Sequence, residues 1–411
     1  MRPPPDVAAT APELTRVDHL LRAGAVAPDL ARVLRVDGPA GACHVLDAKY
    51  RPGEQCTVLY AVGRRLVTGR LRLDGTEATP RWWSFPDDPA LPGLRVLTDP
   101  VRLTGALREA LPQRPALRGA LATLLRYRPH RRATFLVRAW SGGRHVRYVA
   151  KAYHDVRKAE AVYAATRRLG GRLATGGGTV MLADPVAFLP APRLVLQRVV
   201  AGRPLDQFLG DRRGAAAGLP DALDRAAAAL AALHAAPQVS GKERPVTAEL
   251  ARFRQRAAAV ATVCPSLAEQ VLALCAELDR LAPDPPPVHG LVHGDGKPSQ
   301  FLLRAGGIAL LDFDHCGLAD PAVDVGTFLA ALRHRTVVGA APPTARLLPA
   351  GFLGAYEAAA GSGIADRARW YEAVALVRKA LRAFARSPRS PLPAALLATA
   401  WPPLLREATP R

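Results

Sequence analysis

At 411 residues the chain is long enough for two or three domains around a sizeable core, which excludes a small module dependent on a disulfide framework. Its five cysteines show no CxxC or zinc-ligand spacing, excluding a thiolate metal site and pointing to core thiols in a reduced, cytoplasmic setting. The net charge of +21 comes from basic residues scattered through every segment, without a run interleaved with aromatics, so nucleic acid is not an expected partner.

The N-terminal segment has no apolar leader core, and no uninterrupted apolar stretch is long enough to cross a bilayer. A soluble, unexported protein without membrane contact is expected. Of the 56 basic residues only six are lysines, at positions 49, 151, 158, 242, 297 and 379. Against that arginine background a retained lysine marks a place where the compact ammonium is needed, and Lys151 and Lys297 stand in chemically dense surroundings.

The Pro- and Ala-rich start predicts one helix over 12–25. An extended region follows, centred on Tyr50-Arg51-Pro52-Gly53, with strands expected over 56–62 and 66–73 about a Gly63-Arg64-Arg65 turn. The pattern returns 77 residues later as Tyr127-Arg128-Pro129, a strand over 134–140, a Ser141-Gly142-Gly143 turn and a strand over 145–153. Tyr, Arg and Pro recur in step, as do Thr57 with Thr134 and Leu59 with Leu136, which predicts a degenerate duplication. The first copy ends in Arg70-Leu71-Arg72 and the second in Val149-Ala150-Lys151, so only the second is equipped for catalysis. Between them lies a turn-rich connector whose Trp82-Trp83 pair is expected to pack between domains, and 98–125 should hold a strand and a helix.

After Lys151, residues 156–169 carry Ala159, Val162, Tyr163 and Leu169 at helical spacing, with Glu160 beside them. A flexible connection over 170–178 leads to a hairpin of 187–189 and 194–200, which runs into the breaker Ala201-Gly202-Arg203-Pro204. Helices are then expected over 223–234, 247–263 and 267–281, and again over 346–360, 364–386 and 393–406. Strands first and helices later predict two lobes that meet near residues 200–204.

The densest chemistry lies at 291–324. Leu291-Val292 and Ile308-Ala309-Leu310-Leu311 read as short buried strands, and each delivers an aspartate at its end, Asp295 and Asp312. Lys297-Pro298 and Gln300 lie between them, so carboxylates, a cation and an amide oxygen converge within roughly 20 residues, a mixture that suits magnesium and phosphate. A strand-end carboxylate is costly to bury without a partner or metal, which argues against a purely structural pair. Asp314 either joins the metal site or caps the following turn, and Asp324 is expected to cap a helix beginning at Val325.

His293-Gly294-Asp295-Gly296-Lys297-Pro298-Ser299-Gln300, followed by Leu311-Asp312-Phe313-Asp314 and then Asp320-Pro321 and Asp324, resembles the aminoglycoside phosphotransferase family. That family shares the kinase-like fold with choline kinases, maltokinases and protein kinases. The resemblance covers roughly residues 125–385, most strongly 291–328, and it rests on the ordered set of motifs, since a lone HGD triplet is unspecific. It implies an α+β, bilobal, protein-kinase-like fold with a β-rich N-lobe over 111–202 and a helical C-lobe over 203–411. An N-terminal α+β cap over 1–110 would be a degenerate N-lobe-like copy.

Carried over residue by residue, the resemblance makes Asp295 the catalytic carboxylate, with Lys297 assisting on the transferring phosphoryl group. Lys151, steadied by Glu160, would grip the nucleotide phosphates, and Gln197 and Val199 on the hinge strand would join in nucleotide binding. Asp312, Gln300 and Asp314 would hold magnesium, and His293 would shape the loop. The implied activity is a small-molecule kinase that transfers the gamma-phosphate of ATP or GTP to a hydroxyl of a sugar, an aminoglycoside or a related metabolite. Gln300 departs from the family's Asn by one methylene, which displaces its oxygen by about 1.5 Å. No glycine-rich loop stands before Lys151. A catalytically weak nucleotide sensor or scaffold is therefore the alternative.

Overall fold

The computed structural model describes residues 12–36, 42–77, 79–112, 117–141, 143–175, 180–209, 218–236, 246–284, 289–305, 307–339, 347–361 and 363–405. Helices α1 (Pro12–Leu21) and α2 (Ala27–Leu34) precede an antiparallel meander of β1 (Cys43–Arg51), β2 (Gln55–Val62), β3 (Arg65–Arg72) and β4 (Arg81–Ser84). Strand β2 is buried along most of its length because both faces are covered: Cys56, Val58 and Tyr60 point to one core and Leu59 to another.

Two further helices, α3 (Gly93–Leu97) and α4 (Pro100–Ala110), lead into the second sheet. Helix α4 starts where the sequence dictates, with Pro100 at its first position and the Asp99 side chain accepting from the N–H groups of Val101 and Arg102 at 2.9 and 3.1 Å. The strand and helix expected over 98–125 are therefore α4 followed by β5 (Leu117–Arg128). After β5 come β6 (Arg132–Ser141), β7 (Arg144–Tyr153), α5 (Val156–Thr175), β8 (Val180–Leu182), β9 (Pro185–Leu189) and β10 (Leu194–Arg198). The second sheet has the order β5-β6-β7-β10-β9. Helix α5 extends to Thr175, past the start of the connection expected over 170–178, and 176–179 lie outside the described residues.

The hinge at 199–202 feeds β11 (Arg203–Pro204), α6 (Leu205–Phe208), α7 (Leu219–His234), α8 (Val246–Ala261) and α9 (Pro265–Arg280). Gly202 is required there, since a Cβ would lie 2.9 Å from both the Leu302 Cβ and the Leu303 carbonyl oxygen. Four short strands follow, β12 (Gly290–Val292), β13 (Phe301–Arg304), β14 (Gly307–Leu310) and β15 (Gly317–Ala319), and then α10 (Ala322–Val337), α11 (Leu348–Ala360), α12 (Ala365–Arg386) and α13 (Leu392–Leu405). The fold is thus mixed, with β-sheets gathered in the N-terminal part and helices in the C-terminal part. No helix among the described residues is long and apolar enough to cross a membrane.

Three large cores among the described residues organise these elements, beside a small cluster of Tyr153, Ala159 and Val195. The first joins α1, α2 and the inner face of the first sheet to α8, α9, α12 and α13, so the N-terminal meander rests on the helical lobe. A second lies under α7, α10 and α11 and reaches Leu291, Phe301 and Leu310. The third holds the second sheet together with Leu91, Leu94, Leu103 and Leu107, which groups α3 and α4 with that sheet. Trp83 bridges the two sheets, its ring meeting His130 edge-on at 4.7 Å while Arg70 lies over it at 5.0 Å; Trp82 instead packs within the first sheet, against Tyr60 at 5.9 Å.

The two apolar runs that carry the aspartates do not pair with each other. Strand β12 forms an antiparallel ribbon with β15, while β14 pairs with β13 and, in parallel, with β8. Phe301 anchors this hairpin, edge-on to Phe328, which stacks on Phe352 at 3.8 Å. Truncating a buried aromatic of this kind to Ala costs about 3–5 kcal/mol, so the loop that carries Asp295 hangs from a rigid support.

Candidate active site

The loop after β12 is fixed from below by Asp324. Its carboxylate accepts from the His293 and Gly294 N–H groups at 2.5 and 2.8 Å, and from His234 Nε2 at 3.2 Å. Burial works to raise the Asp324 carboxyl, and the hydrogen bonds from His234 and His293 outweigh it, holding the group below the ordinary carboxylate range. Asp324 does not take the expected capping role: α10 starts at Ala322 with Pro321 at its N-cap, which leaves Asp324 inside the first turn, while Asp320 just ahead accepts from the Ala322 N–H at 2.9 Å. Gly294 sits at φ 74°, and a Cβ there would lie 2.0 Å from the His315 carbonyl oxygen, so only glycine fits the turn that presents Asp295. His293 is fully buried, with Nε2 2.7 Å from the Leu311 carbonyl oxygen and its ring against Phe313, which ties the first loop to the second.

Asp295 emerges from this loop and pairs with Lys297; Gln300 Nε2 also donates to its carboxylate at 3.4 Å. Burial acts to raise the Asp295 carboxyl, but the Lys297 ammonium, helped by His315 and Arg382, prevails and keeps it below the ordinary range. The group stays an ionised acceptor at neutral pH.

Asp312 ends the short segment after β14 in the left-handed region, at φ 66° and ψ 59°. A non-glycine residue there is uncommon, and the surrounding contacts hold it. Lys151 Nζ on β7 donates to Asp312 at 2.8 Å and to Asp314 at 3.3 Å, and the Tyr153 hydroxyl donates to Asp314 at 3.0 Å. Arg132 at the start of β6 grips Asp312 through two nitrogens at 3.0 and 3.1 Å and pairs with Asp314 as well. Desolvation pushes the Asp312 carboxyl up, and Lys151 and Arg132 together drive it far down, so it remains a carboxylate.

The predicted residues therefore fall into two groups. Lys151, Asp312 and Asp314 converge in one network, and Asp295, Lys297 and Gln300 form a second within the loop. Glu160 is not brought to Lys151: it is exposed on α5, and the lysine is held by the two aspartates. Gln197 is buried in β10 and its amide donates to the Ala183 carbonyl oxygen at 3.5 Å, while Val199 is half-buried just past the strand in the hinge. Neither touches the carboxylate network. Arg132 was missed by sequence reasoning because one arginine among so many carries no signal; its place just after the Tyr127-Arg128-Pro129 turn was the only pointer.

No cluster of three His, Cys, Asp or Glu side chains forms a preformed cage among the described residues. Two carboxylates that converge on the same ammonium nevertheless fit a small hard cation that completes its shell with water and substrate phosphate, as magnesium does.

Residues 130–373 match the model of the phosphotransferase enzyme family. Among solved structures, choline kinase from Cryptosporidium parvum is similar at 11% identity with a TM-score of 0.53, covering 74% of this chain and 96% of that one. A thermostable mutant of aminoglycoside phosphotransferase APH(4)-Ia, in ternary complex with AMP-PNP and hygromycin B, is similar at 16% identity with a TM-score of 0.52, covering 75% and 99%. At such identities these structures speak for the kinase-like fold alone. No curated protein matches the chain.

Proposed function

The chain belongs to the phosphotransferase enzyme family, and from that premise we propose that it transfers the gamma-phosphate of ATP or GTP to a hydroxyl of a small molecule. The observation that carries this reading is the pairing of Lys151 with Asp312 and Asp314 beside a separately anchored Asp295. The AMP-PNP complex of the similar APH(4)-Ia structure supports a nucleotide co-substrate.

Phosphoryl transfer asks little covalent work of a protein; positioning and charge do most of it. Asp295, kept ionised by Lys297, accepts a hydrogen bond from the acceptor hydroxyl, orients its oxygen for in-line attack and takes the proton as the new P–O bond forms and the bond from the gamma-phosphorus to the departing nucleoside diphosphate breaks. Lys297 then lies beside the charge that moves onto the phosphoryl oxygens. Lys151 and Arg132 offer their cationic groups to the nucleotide phosphates, and Tyr153 holds Asp314 in place. Asp312 and Asp314, with the Gln300 amide oxygen, would hold magnesium, which when bound screens the phosphate charge.

The test incubates the protein and an Asp295→Asn control with magnesium, gamma-labelled ATP or GTP and a small-molecule extract, with mass spectrometry reading new phosphorylated species. A labelled product from the wild type, reduced roughly 10²–10⁴-fold in the control with nucleotide binding retained, is the expected result. Equal product from both proteins removes Asp295 from the mechanism. A sensor without turnover is the second reading, favoured by Gln300, whose amide is engaged with Asp295. Magnesium-dependent nucleotide binding with no labelled product would select it.

A further inference from the structure

Helix α12 packs against β1 and α8. It carries Lys379 and Arg382, one turn apart on the same face. Lys379 interacts electrostatically with Lys297 and Asp295, and Arg382 with Asp295 and with Arg256 of α8. Arg256 in turn faces Arg131, in the turn between β5 and β6, and Lys49 of β1 lies close to Arg131 and Arg256. Three parts of the fold thus contribute cations to one cluster.

The acids nearest this cluster each hold a closer cation: Asp295 pairs with Lys297. Glu249 is bound by Arg378 at 2.5 and 2.9 Å, Asp47 by Arg386 at 3.2 Å, and Glu54 by Arg51 at 2.9 Å. Among the described residues the side chains of Lys49, Arg131, Arg256, Lys379 and Arg382 make no hydrogen bond or ion pair. Lys49 and Lys379 are half-buried, and burial, reinforced by neighbouring cations, pulls each ammonium down to about 8. Arg382 and Arg256 are exposed, so water reaches the cluster from one side. Four of the six lysines in the chain, at 49, 151, 297 and 379, belong to the catalytic region or this adjoining cluster.

Asp295, Glu249 and Glu54 offset part of this charge, but cations outnumber them; the surplus raises the energy of the empty protein, and an anionic ligand lowers that cost on binding. The same field repels a polycation or a quaternary ammonium. We infer that the acceptor carries an anionic group, a phosphate or a carboxylate, besides its hydroxyl, and that Lys379 and Arg382 hold that group while the hydroxyl meets Asp295. The inference rests on the phosphotransferase reading above and narrows it. It also gives the N-terminal meander a task, since Lys49 reaches the acceptor side from β1.

The test splits a small-molecule extract on a strong anion exchanger and offers the retained and unretained fractions separately to the full-length protein with magnesium and gamma-labelled nucleotide. Label is expected on acceptors from the retained fraction. For Arg382→Gln, and independently for Lys379→Gln, the amount of retained fraction needed for half-maximal labelling should rise at least tenfold, with AMP-PNP affinity within twofold of the wild type. Label confined to the unretained fraction, equal labelling of both fractions, or no change in either variant overturns the inference and leaves the phosphotransferase standing. Label in neither fraction, despite AMP-PNP binding, overturns both.

Discussion

In the first meander the Tyr50 hydroxyl and the Gly53 N–H both donate to Glu13, at 2.7 and 3.0 Å; in the second, the Tyr127 hydroxyl and the His130 N–H both donate to Asp88, at 2.8 and 2.7 Å. Gly53 and His130 each adopt a positive φ, 69° and 58°, and each turn closes with the same backbone bond, Glu54 N–H to Arg51 and Arg131 N–H to Arg128, both 3.1 Å. Each unit is preceded by two helices. A degenerate duplication would leave this pattern.

The register shows where the two units part. Thr57 faces Arg70 as Thr134 faces Lys151, and Gln55 faces Arg72 as Arg132 faces Tyr153. Arg70, Arg72 and Gln55 therefore stand where the second sheet carries Lys151, Tyr153 and Arg132, all of which bind Asp312 or Asp314. In the first sheet Arg70 lies over Trp83 and Arg72 pairs with Asp74. The turn and its carboxylate anchor are scaffold; the chemistry depends on three side chains along two neighbouring strands.

This comparison can be broken in several ways. Lys151→Arg gives the second sheet the first sheet's residue, and a guanidinium cannot occupy the ammonium's position between Asp312 and Asp314 without displacing them, so phosphate transfer should fall about 100-fold. Steady-state kinetics on the labelled product would check it. Arg132→Gln copies Gln55 and removes a bidentate pair; the nucleotide KM should rise about tenfold, in line with the loss of one charge-assisted contact.

The shared features should respond alike. Tyr50→Phe and Tyr127→Phe should each cost about 1 kcal/mol in urea denaturation, since each leaves its carboxylate one donor short. A marked difference between them would argue that the two turns are not equivalent. Acid should separate Asp88 from its surroundings: burial works to raise its carboxyl, and the hydrogen bonds from His130 and Tyr127 hold it below the ordinary value. A depressed folded-state value means that stability is present above the unfolded carboxyl's pKa of about 3.9 and is lost as pH falls through the lower folded value. The thermal midpoint should therefore drop more steeply below about pH 5 in the wild type than in Asp88→Asn.

Much of the site was legible because its chemistry is local in sequence. Asp295, Lys297, Gln300, Asp312 and Asp314 fall on one stretch, and Lys151 stood out as a lysine against arginine. What sequence could not give was tertiary. Arg132 reaches the aspartates only because β6 lies beside β7. Asp324 reads as a helix cap until α10 is seen to begin three residues earlier than expected, which turns the carboxylate inward to hold the loop. Glu160 has the expected spacing from Lys151, yet it is exposed on α5. Lys49 and Lys379 lie more than 300 residues apart and meet one basic cluster because α12 packs on β1.

The most direct test is a nucleotide-binding isotherm, recorded with magnesium and a fluorescent ATP analogue, for the wild type, Lys151→Met and Arg70→Met. Arg70→Met should bind as the wild type does, and Lys151→Met should lose at least tenfold in affinity. Undiminished binding by Lys151→Met, or an equal loss in both variants, would contradict the claim that the second meander alone carries the nucleotide site.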